Sequence, residues 1–394
     1  MCIPKGNLLI RFIHYNHKID QLRRVFVAIL FFISQTAYSQ LFDNPSNVKI
    51  VSKCVDYIYN VQPDSANVLI EEIEERLPNH PAVPMLRGLN VLWTNIPVVT
   101  IDSVFEEFSN HLRETIRLAN RLDGGRQEHP EAIFFEMSAR GLLAEYYADD
   151  GHYMKALSEA GKAYDLVKSG FELSDKVPDF LMTTGVYNYF REKYPEKYPV
   201  YKPLLWFFRS GDIELGLQQL EDATQKAVLT KVEAYVYLAY IYLRYEYRPK
   251  KAQKYMWYLT QNYPNNLYMK SKLLESLTTG EDFKQAPYSY IKELIASDRS
   301  YYTMAGRAFQ GLYSEVVKKD LESAVEAYRS GIAAGTDIKG HGTYYRSMSY
   351  LGLGRIYVKQ GKKEDAIYNL EKAIEVSESA VIDEEANELL DGLE

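Results

Sequence analysis

A chain of 394 residues with 46% apolar side chains can bury a substantial core, which excludes wholesale disorder. The formal charge is −7, and the first 39 residues carry Lys5, Arg11, Lys18, Arg23 and Arg24 against Asp20, so the remainder stands at −11. A body that acidic repels a phosphate backbone, so no nucleic-acid partner is expected.

Val25 to Ile33 reads VFVAILFFI, nine apolar residues directly after Arg23-Arg24, and small residues follow at Ala37 and Ser39. A basic flank, a short apolar run and a small-residue cleavage site are the parts of a secretory signal peptide. The run is well short of the ~20 residues of a membrane-spanning helix. Residues 1–39 are therefore expected to be a signal peptide cleaved between Ser39 and Gln40, leaving a mature chain without a stable membrane span, in the periplasm of a Gram-negative cell or secreted. The 24 residues ahead of the apolar run are long for a signal, and translation is expected to start further in, near Leu22 or Val25. No Cys stands at the cleavage point, so no lipid anchor is expected there. Of Cys2 and Cys54 only the second would survive cleavage, which leaves no intramolecular disulfide.

Beyond residue 40 the apolar pattern is helical throughout, with almost no two-residue alternation. Tyr57, Ala66, Ile70, Ile73 and Pro78 mark a first helical hairpin, and Pro81 to Leu122 leaves room for a longer pair. Residues 122–130 read as a surface loop. Leu143, Ala144, Tyr147, Gly151, Ala156, Ala160 and Ala163 mark another hairpin. Gly211, Gly216, Leu220 and Ala223 mark a turn and a second helix. Leu238, Ala239, Tyr242, Ala252, Met256 and Pro264 follow, with one residue inserted at the Arg248-Pro249 turn. Gly280, Ala286, Tyr290 and Leu294 give a weaker unit, and Ala324, Tyr328 and Gly331 another second helix. The C-terminal unit is the clearest: Tyr350, Leu353, Gly354, Tyr357, Gly361, Ala366, Leu370 and Ala373. Small residues there let two helices approach closely, and Gly361 supplies a turn free of Cβ strain. Ala66 and Ala252 are each followed by a Pro twelve residues on.

These spacings resemble the tetratricopeptide repeat, whose pattern of about 34 residues places a Trp or Tyr, a Leu-Gly pair and a Tyr on the first helix, two Ala on the second and a closing Pro. The resemblance implies an all-α fold, a right-handed α–α superhelix of stacked helical hairpins. Residues 40–130 would form divergent N-terminal hairpins and 131–394 the regular solenoid. A narrower likeness covers Thr184-Gly185-Val186-Tyr187-Asn188-Tyr189-Phe190, Leu204 to Phe208, Gly211-Asp212 and Gly216-Leu217-Gln218-Gln219-Leu220. These about 40 residues resemble tetratricopeptide repeat protein 39 and its inclusion-clearance relatives. That likeness implies the fold and no chemistry, and those relatives are intracellular whereas this chain carries an export signal.

No catalytic constellation emerges. None of the seven His has a partner at helix-face metal spacing, and no Cys/His set matches a zinc site, so no metal or cofactor is expected. Gly352-x-Gly354 lies in a helix and has a packing role, and no phosphate-binding loop or nucleophile elbow is present. His341, between two glycines, lies in an insertion that could close over a ligand. Leu204 to Phe208, the most apolar stretch of the body, reads as core or as a partner-facing patch.

What remains is the concave groove, lined by the first helix of each hairpin. Its exposed positions are expected at Met348, Leu351, Arg355, Val358 and Lys359; at Glu233, Val236, Tyr240, Leu243 and Arg244; and at Ser138, Gly141, Glu145, Ala148 and Asp149. Arg355 and Lys359, four apart, share a face and are expected to project as a pair of cations. A groove of that kind suits a protein or peptide partner, so a non-enzymatic scaffold or adaptor is the first functional expectation. The alternative uses the 34 Tyr residues: a periplasmic binding protein holding a small apolar or aromatic ligand inside the superhelix.

Overall fold

Helix boundaries follow local signals. Asn44 accepts from the N–H groups of Ser46 and Asn47, Asp212 from Leu215, Asn266 from Met269 and Asp320 from Ser323. Pro45, Pro63, Pro130 and Pro249 occupy first turns, where a missing N–H costs nothing. The computed structural model describes residues 41–393, except 198, 200, 201, 203–205, 207, 337, 339 and 340. The expected signal peptide and cleavage point, and most of the apolar stretch 204–208, lie outside the described residues.

Among the described residues there are seventeen α-helices and no strand. They are α1 (Pro45–Tyr59), α2 (Pro63–Arg76), α3 (Ala82–Thr94), α4 (Asp102–Asp123), α5 (Pro130–Asp149), α6 (Tyr153–Leu173), α7 (Phe180–Lys197), α8 (Ile213–Lys226) and α9 (Lys231–Arg244). The series continues with α10 (Pro249–Asn262), α11 (Leu267–Thr279), α12 (Tyr288–Ile295), α13 (Ser300–Tyr313), α14 (Leu321–Ala334), α15 (Thr343–Lys359), α16 (Lys363–Val376) and α17 (Ala380–Asp391). A π-helical turn, Ser314–Lys318, extends α13. Each odd-numbered helix packs with the even-numbered helix after it, giving eight hairpins stacked in chain order as an all-α solenoid, with α17 against the last. Leu41–Glu394 form one compact unit.

The two kinds of helix bury different amounts of themselves. Even-numbered helices bury one stripe: Ala66, Ile70 and Ile73 in α2, or Ala366, Leu370 and Ala373 in α16. The odd-numbered helices between hairpins are sandwiched, and α5 buries every residue from Glu131 to Met137. Of the alanines expected at the α5–α6 contact, Ala156 and Ala163 are buried, but Ala160 lies on the exposed side of α6. Helix α7 crosses close on α8. A Cβ on Gly216 would sit 2.7 Å from the Tyr189 nitrogen and 2.8 Å from the Gly185 oxygen, so only glycine admits that approach. Gly361, at φ 69°, makes the turn between α15 and α16.

Ala366 has no exposed surface. Ala366→Leu should therefore overpack the last hairpin and cost on the order of 1–3 kcal/mol, read as a lower urea midpoint at unchanged slope. A neutral result would mean that the α15–α16 contact is looser than drawn.

Two features join elements distant in sequence. At the junction of hairpins two and three, His80 Nδ1 accepts the Ala82 N–H at 3.2 Å, which assigns the proton to Nε2, 2.8 Å from Glu131. The other Glu131 oxygen accepts the Phe42 N–H at 2.7 Å, so this buried carboxylate is satisfied on both sides. The second feature is a seam between hairpins one and two and hairpins five to seven. Tyr59 donates to Glu233, Tyr263 to Asp56 at 3.0 Å, and the Asn266 amide to the Tyr59 carbonyl at 2.8 Å. The Arg299 guanidinium donates to the carbonyls of Thr94 and Asn95 at 2.7 and 2.9 Å. Trp93 fills the middle, edge-on to Tyr59 at 4.8 Å and to Tyr268 at 6.0 Å. Five hairpins thus bring the array back onto its own beginning.

Candidate functional site: a concave chamber of tyrosines and carboxylates

Inside the closed turn the odd-numbered helices face one another. On α9 the residues Glu233, Tyr237, Tyr240 and Arg244 recur at intervals of four, three and four, which is one helical face. On α5 Glu145, Tyr146 and Asp149 face them, and α11 contributes Tyr268, Lys272 and Glu275. Tyr237 donates to Glu145 at 2.9 Å, joining α9 to α5. Glu145 lies within electrostatic range of Tyr237, Tyr240 and Tyr268.

Water reaches these groups, since Glu145 and Asp149 are exposed and Tyr240 keeps 43% of its surface. A carboxyl on an open surface keeps its ordinary acidity. Burial instead pushes Glu145 up to about 7, against a lowering by the Tyr237 hydroxyl. Burial likewise raises Asp149, and it pushes Tyr240 up to about 12. Accessible surface on groups crowded by their neighbours marks a concave lining, so these side chains line a concave chamber on the inner side of the turn. Glu233 is raised by burial too, offset by the hydrogen bond from Tyr59.

The charges in the chamber are unevenly matched. Glu275, with no exposed side chain, pairs with Arg244 and with Lys272 at 2.9 Å, and Arg244 also stacks over the Tyr344 ring at 5.1 Å. Glu145, Asp149 and Glu233 have no such partner: among the described residues no Lys or Arg acts on any of them. Asp149 feels only His341, from the Gly-rich insertion, and the opposing charge of Glu378.

The expected groove residues divide accordingly. Tyr240, Arg244 and Glu145 come together in the chamber, with Glu233 and Asp149. Met348 and Leu351 are 3% exposed and Leu243 6%, so all three are core rather than groove. Arg355 and Lys359 do not project as a free pair. Arg355 reaches back to Glu315 in the π-helical turn at 2.9 Å and to Glu385 of α17 at 2.9 Å, keeping 18% of its side-chain surface. Lys359 is 57% exposed and leans on the same Glu315 at 3.4 Å. The cause is a buried carboxylate that needs a cation, contributed by a turn 40 residues upstream. Of the apolar stretch, Trp206 is 85% exposed and Phe208 packs edge-on to Tyr164 at 4.6 Å.

Sequence reasoning missed Tyr237, Tyr146, Tyr268, Lys272 and Glu275. On α9 the face was placed one residue early, at Val236 instead of Tyr237. The 4-3-4 spacing of polar residues around Tyr237 was the available signal. For α11 the run Tyr268, Lys272, Glu275 carries the same spacing, but the weak match of its hairpin gave no register. Among the described residues no cluster of His, Cys, Asp and Glu could hold a metal ion, and no helix is long and apolar enough to cross a membrane. No protein-family model matches the sequence, and no curated protein is significantly similar to it.

Proposed function

We propose that this protein is a binding protein that encloses a small organic cation in the chamber. One observation carries the reading: three poorly solvated carboxylates, Glu145, Asp149 and Glu233, face tyrosine rings with no Lys or Arg acting on them among the described residues, and only His341 beside Asp149. A positively charged group entering there gains the carboxylates' field and the negative faces of Tyr146, Tyr237, Tyr240 and Tyr268. An aromatic body on the same ligand would lie against those rings. The reading of a groove for an acidic peptide tail loses its anchor, because Arg355 and Lys359 are committed to Glu315 and Glu385. We further propose that the array is a divergent tetratricopeptide solenoid and that the chain is exported, its mature form starting at Gln40.

Native mass spectrometry of the protein purified from its own cells tests location and function together. The expected result is a chain mass beginning at Gln40 with an additional small molecule that leaves on collisional activation. The purified apo-protein should then bind benzyltrimethylammonium and fail to bind benzenesulfonate, an anion of similar size. Preference for the anion would overturn the assignment of charge. A chain that retains Arg24 would overturn export.

A further inference from the structure

The seam is built differently from the other joints of the array. Elsewhere the solenoid is joined by helices lying along helices, and each such junction buries continuous apolar stripes. At the seam, no helix of hairpins one and two packs along a helix of hairpins five to seven. The joint consists of helix ends and turns linked by hydrogen bonds: Tyr59 to Glu233, Tyr263 to Asp56, Asn266 to the Tyr59 carbonyl, and Arg299 to the carbonyls of Thr94 and Asn95. A cleft opens over it between Asp56, Tyr57 and Asn60 on one side and Asn262 and Tyr263 on the other. Its apolar part is one local cluster of rings, Tyr59, Trp93, Tyr263 and Tyr268, with no helix lying along another, which makes it a shorter joint than the helix–helix junctions and the one more readily parted.

Two residues of the seam are also chamber wall. Glu233, bonded by Tyr59, lies one turn from Tyr237 on the inner face of α9, and Tyr268, capped by Trp93, lies on the inner face of α11. Parting the seam therefore removes one side of the chamber, while the junction at His80 and Glu131 keeps hairpins one and two attached to α5.

We propose that the seam is the gate of the chamber: hairpins one and two swing away from hairpins five to seven to admit a ligand, and the Arg299 and Tyr59 hydrogen bonds latch them shut. The proposal rests on the reading of the chamber as a ligand site, and access can be measured without knowing the ligand.

The probe is a cysteine inside the chamber, Tyr240→Cys, in a Cys2→Ser background of the full chain. Native Cys54 is a quiet control, because it is fully buried and burial pushes its thiol up to about 12. Labelling rates are compared for methanethiosulfonate ethylammonium, a small reagent, and for a fluorescein maleimide. Tyr153→Cys on the outer surface, where the native side chain is 62% exposed, sets the open-surface rate. The expected result is that the maleimide labels position 240 at least tenfold more slowly than position 153. Adding Arg299→Met and Tyr59→Phe should restore at least tenfold of that rate, with a smaller change for the small reagent. Arg299→Met alone is the milder variant should the double one fold poorly, and it should give a lesser acceleration of the same kind. A slow maleimide rate unchanged by either variant would overturn the gate and leave the chamber standing. A rate at position 240 equal to that at 153 would overturn the enclosure itself, and with it the proposed function.

Discussion

Arg355→Ala should destabilise the protein by about 3–5 kcal/mol, the loss expected when one member of a buried ion pair is removed. The reason is Glu315, whose side chain keeps 3% of its surface and accepts from Arg355 and from the Tyr328 hydroxyl at 3.0 Å. Without Arg355 the carboxylate is left in a poorly solvated site with only Lys359 nearby, at 3.4 Å and mostly in water. Lys359→Ala should therefore stay within ~0.5 kcal/mol, as exposed substitutions usually do. The double variant Arg355→Met, Glu315→Gln removes both charges and should recover much of the loss, because an apolar or neutral pair of similar shape need not desolvate an ion. Urea unfolding followed by circular dichroism reads all three.

The sign with pH is also determined. Burial alone would raise the Glu315 carboxyl, but the hydrogen bond and charge of Arg355, with smaller help from Tyr328 and Lys359, hold it below its ordinary value. A carboxyl lowered in the folded state adds stability above its unfolded value, and that stability is lost as pH falls through the folded one. Wild type should thus lose stability in acid more steeply than the double variant. Equal stability of Arg355→Ala and wild type at neutral pH would show that Glu315 is solvated and the ion pair incidental.

The contrast between Arg355 and its expected role shows what a sequence can and cannot display here. The hairpins were legible because their signals are local: Pro at first turns, Asn and Asp caps, and small residues such as Ala66, Ala252 and Ala366 at helix crossings. The face shared by Arg355 and Lys359 was legible too, since four-residue spacing is geometry. Their partner was not, because Glu315 sits in a π-helical turn whose direction no periodicity reveals. The chamber was half visible for a similar reason. Helical spacing places Glu145, Tyr240 and Arg244 on inner faces, but only closure of the turn makes those faces enclose anything. Closure depends on contacts such as Arg299 with Thr94 and Asn266 with Tyr59, more than 200 residues apart. Single polar residues at such separations leave no pattern in one sequence.

Affinity for benzyltrimethylammonium, whose own charge does not titrate, should fall by about a hundredfold between pH 8 and pH 5 if Glu145 binds it as the carboxylate. With its carboxyl at about 7, Glu145 is mostly ionised at pH 8 and almost wholly protonated at pH 5. The neighbouring groups do not reverse that sign. Burial places it there, Asp149 and Glu233 add like charge, and only the Tyr237 hydroxyl opposes them. Asp149 and Glu233 are themselves raised, so their protonation steepens the loss at the acid end. Glu145→Gln keeps an oxygen for the Tyr237 hydroxyl and removes the charge. It should bind the probe weakly at both pH values, with the step near pH 7 gone. The unliganded protein gives an independent check. A carboxyl raised in the folded state adds stability below its unfolded value, and that contribution is lost as pH rises through about 7. Wild type should therefore melt lower at pH 8 than at pH 5 by a margin that Glu145→Gln narrows. Calorimetric titration reads the affinity and thermal melts read the stability. Binding that is unchanged from pH 5 to pH 8 would remove Glu145 from the site. A melting difference that survives Glu145→Gln would assign the titration to Asp149 or Glu233 instead.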